Sequence, residues 1–163
     1  MKILVDADSC PVPARELLLR TAVRRKIRTV FAANRRIPGT GGAYAEMVVC
    51  PPGEGSADNR LVFLAERGDL AVTRDIPLAA RLLEAGAAVL DDRGRTYTAE
   101  NIREKLSLRD FTVGLAENGM DFERTAGYGK RELKTFADAL DRLLAGLRVI
   151  RPIPVRGTGC GSA

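Results

Sequence analysis

The chain has 163 residues, 45% hydrophobic and 29% charged, the composition of a folded domain rather than of a fibrous or disordered polymer. It contains no histidine, which excludes Ser-His-Asp and Cys-His catalysis and imidazole-ligated zinc, so any metal must be held by oxygen, pointing to Mg²⁺ or Mn²⁺. Lys and Arg total 26 against 21 Asp and Glu, and the resulting +5 favours a polyanionic partner such as RNA or DNA.

In chain order, Ile3-Leu4-Val5 is a short apolar run closed by Asp6, the pattern of a buried strand. Because the chain turns acidic this early, no signal peptide is expected at its start. Pro11 and Pro13 mark the first turn of a helix, and apolar residues from Leu17 to Val23 carry it to Arg24-Arg25-Lys26. Those three cations suit the negative end of the helix dipole. Ile27 to Ala33 reads as a second strand and Met47 to Cys50 as a third. Between them Asn34 to Tyr44, with Gly39, Gly41 and Gly42, reads as a mobile loop.

Ala57 to Arg67 is a second helix, Leu70-Ala71-Val72 a fourth strand, Pro77 to Ala85 a third helix, and Ala87 to Leu90 a fifth strand. From Thr98 onward the chain reads as helical. Leu133, Phe136, Ala137, Leu140, Leu143, Leu144 and Leu147 draw one apolar stripe on a helix over Glu132 to Leu147. Strands alternating with helices predict an α/β fold, a three-layer α/β/α sandwich on a mainly parallel sheet, as one domain over 1–147. A Pro/Gly-rich loose tail is expected over 148–163. The longest apolar runs are about five residues, far short of a membrane span, so a soluble cytoplasmic chain with no membrane partner is expected. Cys10, Cys50 and Cys160, odd in number and without a CxxC, indicate neither a disulfide framework nor a zinc knuckle.

In such a sheet, ligands bind beyond the carboxyl ends of the strands. Asp6 and Asp8 follow the first strand, Asn34 the second, and Asp75 the fourth, while Asp58 opens the second helix. Right-handed crossovers bring all of these to one edge. Clustered carboxylates repel one another unless a divalent cation neutralises them, and such a site supports hydrolysis of phosphoesters. Asp6, Asp8, Asp58 and Asp75 are therefore the candidate metal ligands, and Asp6, Asp58 and Asp75 the candidate catalytic residues. Each has a plainer reading: Asp8, Asp58 or Asp75 can cap a helix, and Asp91-Asp92-Arg93-Gly94 is an ordinary turn sequence. Asn34, Arg35 and Arg36 at the same edge are candidates for contacting a phosphate backbone. Cys10 lies beside two aspartates that oppose a thiolate, and it reads as a packing residue.

Val5-Asp6-Ala7-Asp8 resembles the first motif of haloacid-dehalogenase-type phosphatases, but no lysine occurs between Thr73 and Asp91, and that interval is too short for the family's intervening elements. A second resemblance covers more. Val5-Asp6-Ala7-Asp8-Ser9-Cys10-Pro11-Val12, Val72-Thr73-Arg74-Asp75-Ile76-Pro77-Leu78-Ala79, Tyr97-Thr98-Ala99-Glu100-Asn101-Ile102, Arg109-Asp110-Phe111 and Phe136-Ala137-Asp138-Ala139-Leu140-Asp141 resemble, in order, the motifs of the YaiI/YqxD family of bacterial proteins. That resemblance spans about residues 1–147. It implies a PIN-like fold, the architecture of metal-dependent nucleases. Asp6 then matches the acid after the first strand, Asp75 the acid of the T-x-D motif, and Asp58 stands in for the mid-chain acid. The fourth acid of that pattern has no secure counterpart, with Asp91 or Asp92 the nearest. Three functions stay open: a Mg²⁺/Mn²⁺-dependent nuclease or phosphodiesterase, a non-catalytic metal- or nucleic-acid-binding regulatory module, and a small-molecule phosphohydrolase.

Overall fold

A computed structural model describes residues 1–117 and 127–148. The elements run β1 (Ile3–Asp6), α1 (Val12–Arg25), β2 (Thr29–Ala33), β3 (Ala45–Val49), α2 (Ser56–Leu64), β4 (Leu70–Val72), α3 (Ile76–Glu84), β5 (Ala88–Leu90), β6 (Thr96–Tyr97), α4 (Ala99–Glu117) and α5 (Lys130–Arg148). They form one sheet in the order β3-β2-β1-β4-β5-β6. All neighbours pair in parallel except β5 and β6, which form an antiparallel hairpin. The expected α/β/α architecture is what the chain adopts.

The strands are short and apolar because each buries both faces. Ile3, Val5, Phe31, Ala33, Val72 and Leu90 pack against α1 and α5 through Leu18, Phe136, Leu140 and Leu144. Leu4, Val30, Ala32, Ala71 and Val89 point the other way, against Leu61 of α2, Leu78 and Leu82 of α3, and Ile102 of α4. The apolar stripe of α5 is therefore core. Arg24 and Arg25, at the end of α1, pair with Asp141 of α5 at 3.5 and 2.7 Å, so these cations fasten two helices of one layer.

Some features lie beyond the sequence reading. β6 escapes a reading by apolar runs: it is two residues long, with Thr96 exposed and Tyr97 buried. Its hairpin turns at Gly94 (φ +85°), where any Cβ would come within 2.6 Å of the Thr135 carbonyl oxygen on α5. The loop from Asn34 to Tyr44 carries two buried residues. Ile37 and Thr40 are buried, and the Thr40 hydroxyl donates to the Ile37 carbonyl at 2.6 Å. Arg148, where the tail was expected to begin, belongs to α5, and the rest of that stretch lies outside the described residues. Among the described residues no helix is long and apolar enough to cross a membrane.

The chain runs outward from β1 to β2 and β3, then crosses back to β4 on the other side. The reversal falls between β1 and β4, the position where open α/β sheets hold their ligands. At the opposite, amino-terminal ends of the same two strands, Asp69 is buried but fully occupied: it accepts from the Lys2 amide at 2.9 Å, the Lys2 ammonium at 2.6 Å and the Glu66 amide at 2.9 Å. That acid ties the sheet together. The acids at the carboxyl ends are arranged differently.

Candidate functional site

Asp6 closes β1 and is 6% exposed. A carboxylate so placed needs partners, and it receives two hydroxyl donors at the same oxygen: Ser9 Oγ to Oδ2 at 2.7 Å and Thr73 Oγ1 to Oδ2 at 2.9 Å. The Thr73 hydroxyl in turn accepts from the Asp75 amide at 3.0 Å. Thr73 thus links the carboxyl end of β1 to the turn leaving β4. Asp75 is the N-cap of α3, its Oδ1 accepting from the Leu78 amide at 2.8 Å. The plain reading of Asp75 as a cap is correct, and the same residue lines the cleft.

Asp8 caps no helix, because α1 starts on Pro11 without a side-chain cap. Its Oδ2 accepts from the Asn34 amide at 3.1 Å, and its Oδ1 stands 3.6 Å from Arg35 Nε. Asn34 Nδ2 donates onward to the Gly53 carbonyl at 3.2 Å. Asp58 is not a cap either: Gly55, at φ +75°, holds that position on α2. Burial first, then the negative charges of Asp75 and Asp6, with a smaller push from Asp8, raise the Asp58 carboxyl above its ordinary value, while Arg81 opposes them. All four acids line one cleft of about 530 Å³ with Asn34, Arg74 and Arg109. The amino ends of α2 and α3 border the same cleft, and their dipoles favour negative charge there.

The remaining candidates separate. Arg35 meets the site only through Asp8, while Arg36 lines a different groove beside Ile37, Pro38 and Met47. Neither acid after β5 lines the cleft. Asp91 Oδ1 accepts from the Arg93 and Arg95 amides at 2.9 and 2.8 Å, holding the β5–β6 turn. Asp92, 2% exposed, is gripped by both ends of the Arg74 guanidinium, one contact measuring 2.7 Å from Nε to Oδ1. Cys10 is buried, and its thiol is pushed up to about 12, by burial first and by Asp92 next. That chemistry suits packing and opposes a nucleophile. Cys160 lies outside the described residues.

Ser9, Arg74 and Arg109 are site residues that the motif reading left without a role. Ser9 directly follows the D-x-D, and Arg74 stands inside T-x-D, so proximity in sequence was the available signal. Arg109 comes from α4 and no local pattern places it there. Among the described residues, no three His, Cys, Asp or Glu side chains stand together as a group able to hold a metal ion. The four acids share a cleft without forming a closed ligand set.

The family model described as "Uncharacterized BCR, YaiI/YqxD family" matches residues 4–146. A "UPF0178 protein" of Myxococcus xanthus (strain DK1622) is 45% identical over 152 residues, which cover 93% of this chain and 99% of that protein. Another, from Treponema denticola, is 46% identical over 145 residues, 89% of this chain and 92% of its own length. A third, from Desulfotalea psychrophila, is 40% identical over 148 residues, 91% of this chain and all of the relative. No solved structure matches the chain.

Proposed function

We propose that this chain, which belongs to the YaiI/YqxD family, uses its acidic cleft to bind Mg²⁺ or Mn²⁺ and hydrolyse phosphodiesters of RNA or DNA on a PIN-like plan. The observation that carries this reading is the link in which Thr73 ties the Asp6 carboxylate to the Asp75 backbone amide across the sheet reversal, with both acids lining one cleft beside Asp8 and Asp58. The donor chemistry fits an oxygen-preferring cation. Hydrogen bonds from Ser9, Thr73 and Leu78 engage Asp6 Oδ2 and Asp75 Oδ1, and no described residue donates to the other oxygen of either acid. Two carboxylates suffice for Mg²⁺, which ordinarily fills its remaining positions with water and substrate phosphate. A cation there supplies an activated water and clamps the phosphate.

The protein's own groups take the other parts. Asp58, whose carboxyl holds its proton more tightly than an ordinary aspartate, would orient the attacking water and accept its proton. Asp8 holds Asn34 and Arg35 at the rim, where each can meet a phosphate oxygen. Arg109 and the amino ends of α2 and α3 offset the charge of a phosphodiester entering an acidic cleft.

The non-catalytic reading rests on the structural duties of Asp91 and Asp92, which leave the fourth acid of the PIN pattern without a counterpart. Incubating the purified protein with fluorescent single-stranded RNA and DNA, in Mn²⁺ and in EDTA, separates the two. Cation-dependent cleavage lost in both Asp6→Ala and Asp75→Ala supports the nuclease, since a metal site acts as a unit. Cleavage retained in both variants refutes it.

A further inference from the structure

α4 is longer than the core it covers. Its amino-terminal half buries Ile102 and packs Leu106 against α3 and the sheet. The same side of the helix continues through Lys105, Leu108, Arg109 and Thr112, spaced i, i+3, i+4 and i+7, beyond the reach of that core. Leu108 remains 58% exposed and Val113 43%. With Ile76 these residues form a groove of about 370 Å³. The groove adjoins the acidic cleft, and Ile76 and Arg109 line both. Their linings differ in charge. The cleft carries four aspartates, whereas the groove is lined by two cations, no carboxylate and an apolar floor. Lys105 is steadied over the Tyr97 ring, 5.7 Å from its centroid, and among the described residues Arg109 has only the adjacent Asp110 as an ion-pair partner, at 3.7 Å.

We infer that the α4 groove is a nucleoside subsite adjoining the acidic cleft, so that the ligand crossing the site is a single strand of nucleic acid. The inference rests on the phosphodiester reading of the cleft and specifies its substrate. A strand alternates apolar faces with charges: a base lies on Leu108, Val113 and Ile76, and the phosphates on either side meet Arg109 and Lys105. A base in a duplex has its faces covered by its neighbours and cannot use such a floor. A small phosphate ester would need the cleft alone and would leave the groove empty. The cations bordering the floor, and the border it shares with the cleft at Arg109, favour this occupant over a protein partner.

Fluorescence anisotropy of the full chain in Ca²⁺ buffer at low salt tests the groove without requiring cleavage. The probes are fluorescein-labelled U12 and T12, and T12 annealed to its complement. The single strands should bind and the duplex should bind more weakly. Leu108→Asp, on an exposed position, should weaken single-strand binding by about tenfold, because it removes apolar floor and sets a negative charge against the phosphates. Arg109→Gln should weaken it and flatten its dependence on salt. Val113→Asp is the second variant should Leu108→Asp melt abnormally. Mn²⁺-dependent hydrolysis of bis(p-nitrophenyl) phosphate by the parent reads the cleft separately from strand binding. Full single-strand affinity in Leu108→Asp and Val113→Asp overturns the groove even if hydrolysis persists. So does failure of the parent to bind, or a parent dimer that Leu108→Asp splits while binding is unchanged. Binding through the groove without any hydrolysis of the small diester upholds this inference and defeats the catalytic reading instead.

Discussion

The Thr73 hydroxyl donates to Asp6 Oδ2 at 2.9 Å while accepting from the Asp75 amide at 3.0 Å, so one buried side chain fixes the spacing of two acids. Thr73→Val keeps the shape and deletes both bonds. It leaves the Asp75 amide without its partner and removes one of the two donors to Asp6. The expected loss is about 1–3 kcal/mol of stability, the usual cost of stranding buried polar groups. Thr73→Ser should restore most of it. Urea denaturation of the three proteins measures the effect, and a Val variant as stable as the parent would mean that the link is slack.

Asp58 supplies a pH test. Its carboxyl is raised from 3.8 by burial and by Asp75 and Asp6, so the folded protein holds this proton more tightly than the unfolded chain does. The folded state is therefore penalised once the pH exceeds the raised value, and the penalty fades as the pH falls through that value toward 3.8. Asp58→Asn removes the charge. In EDTA the variant should be more stable than the parent at pH 7, with the difference shrinking toward pH 4. Melts at the two pH values decide; a variant less stable at pH 7 would show that the charge is welcome where it is.

Arg74 and Asp92 form a pair in which only the carboxylate is buried. Arg74→Met strands that carboxylate, at an expected cost of about 1–3 kcal/mol, less than a fully buried pair because water reaches the arginine. Asp92→Asn added to Arg74→Met should recover part of the loss, since contacting residues are not additive. Denaturant midpoints of the single and double variants test this. A double variant that falls by the sum of the two single losses would separate the pair.

Much of this was legible because parallel strands announce themselves. β1 and β4 are apolar runs closed by polar residues, since both their faces are buried, and the rule for strand ends then placed Asp6, Asp8, Asn34 and Asp75 at one edge. β6 was not legible, because two residues with one side in solvent make no run. The glycines of the 34–44 loop signalled backbone freedom but not the burial of Ile37 that anchors it. Arg35 and Arg36 read alike as neighbours in sequence, yet one reaches Asp8 and the other a separate groove, a matter of side-chain direction that spacing in a loop does not encode. Arg109 reaches the cleft only because α4 packs beside α3, a tertiary fact. Capping and site-lining had looked like alternatives for Asp75. One carboxylate has two oxygens, and Asp75 does both.

That double role makes Asp75 the sharpest test of the site. Asp75→Asn can still accept from the Leu78 amide, so the cap survives while one negative charge leaves a cleft that holds four aspartates. In EDTA the variant should melt at or above the parent, because like-charge repulsion is relieved. In Mn²⁺ the order should reverse. At about 100 times its dissociation constant the ion stabilises the parent by about 2.7 kcal/mol. For a domain of this size that is a shift of about 5–10 °C, and the variant should gain only a small part of it. If Asp75 were a cap and nothing more, the amide would cost a few tenths of a kcal/mol in either buffer and the two proteins would respond alike to Mn²⁺. Thermal melts of parent and variant in both buffers distinguish the cases, and equal shifts with Mn²⁺ would remove Asp75 from the cation site and with it the pairing of Asp6 and Asp75 on which the proposed hydrolysis depends.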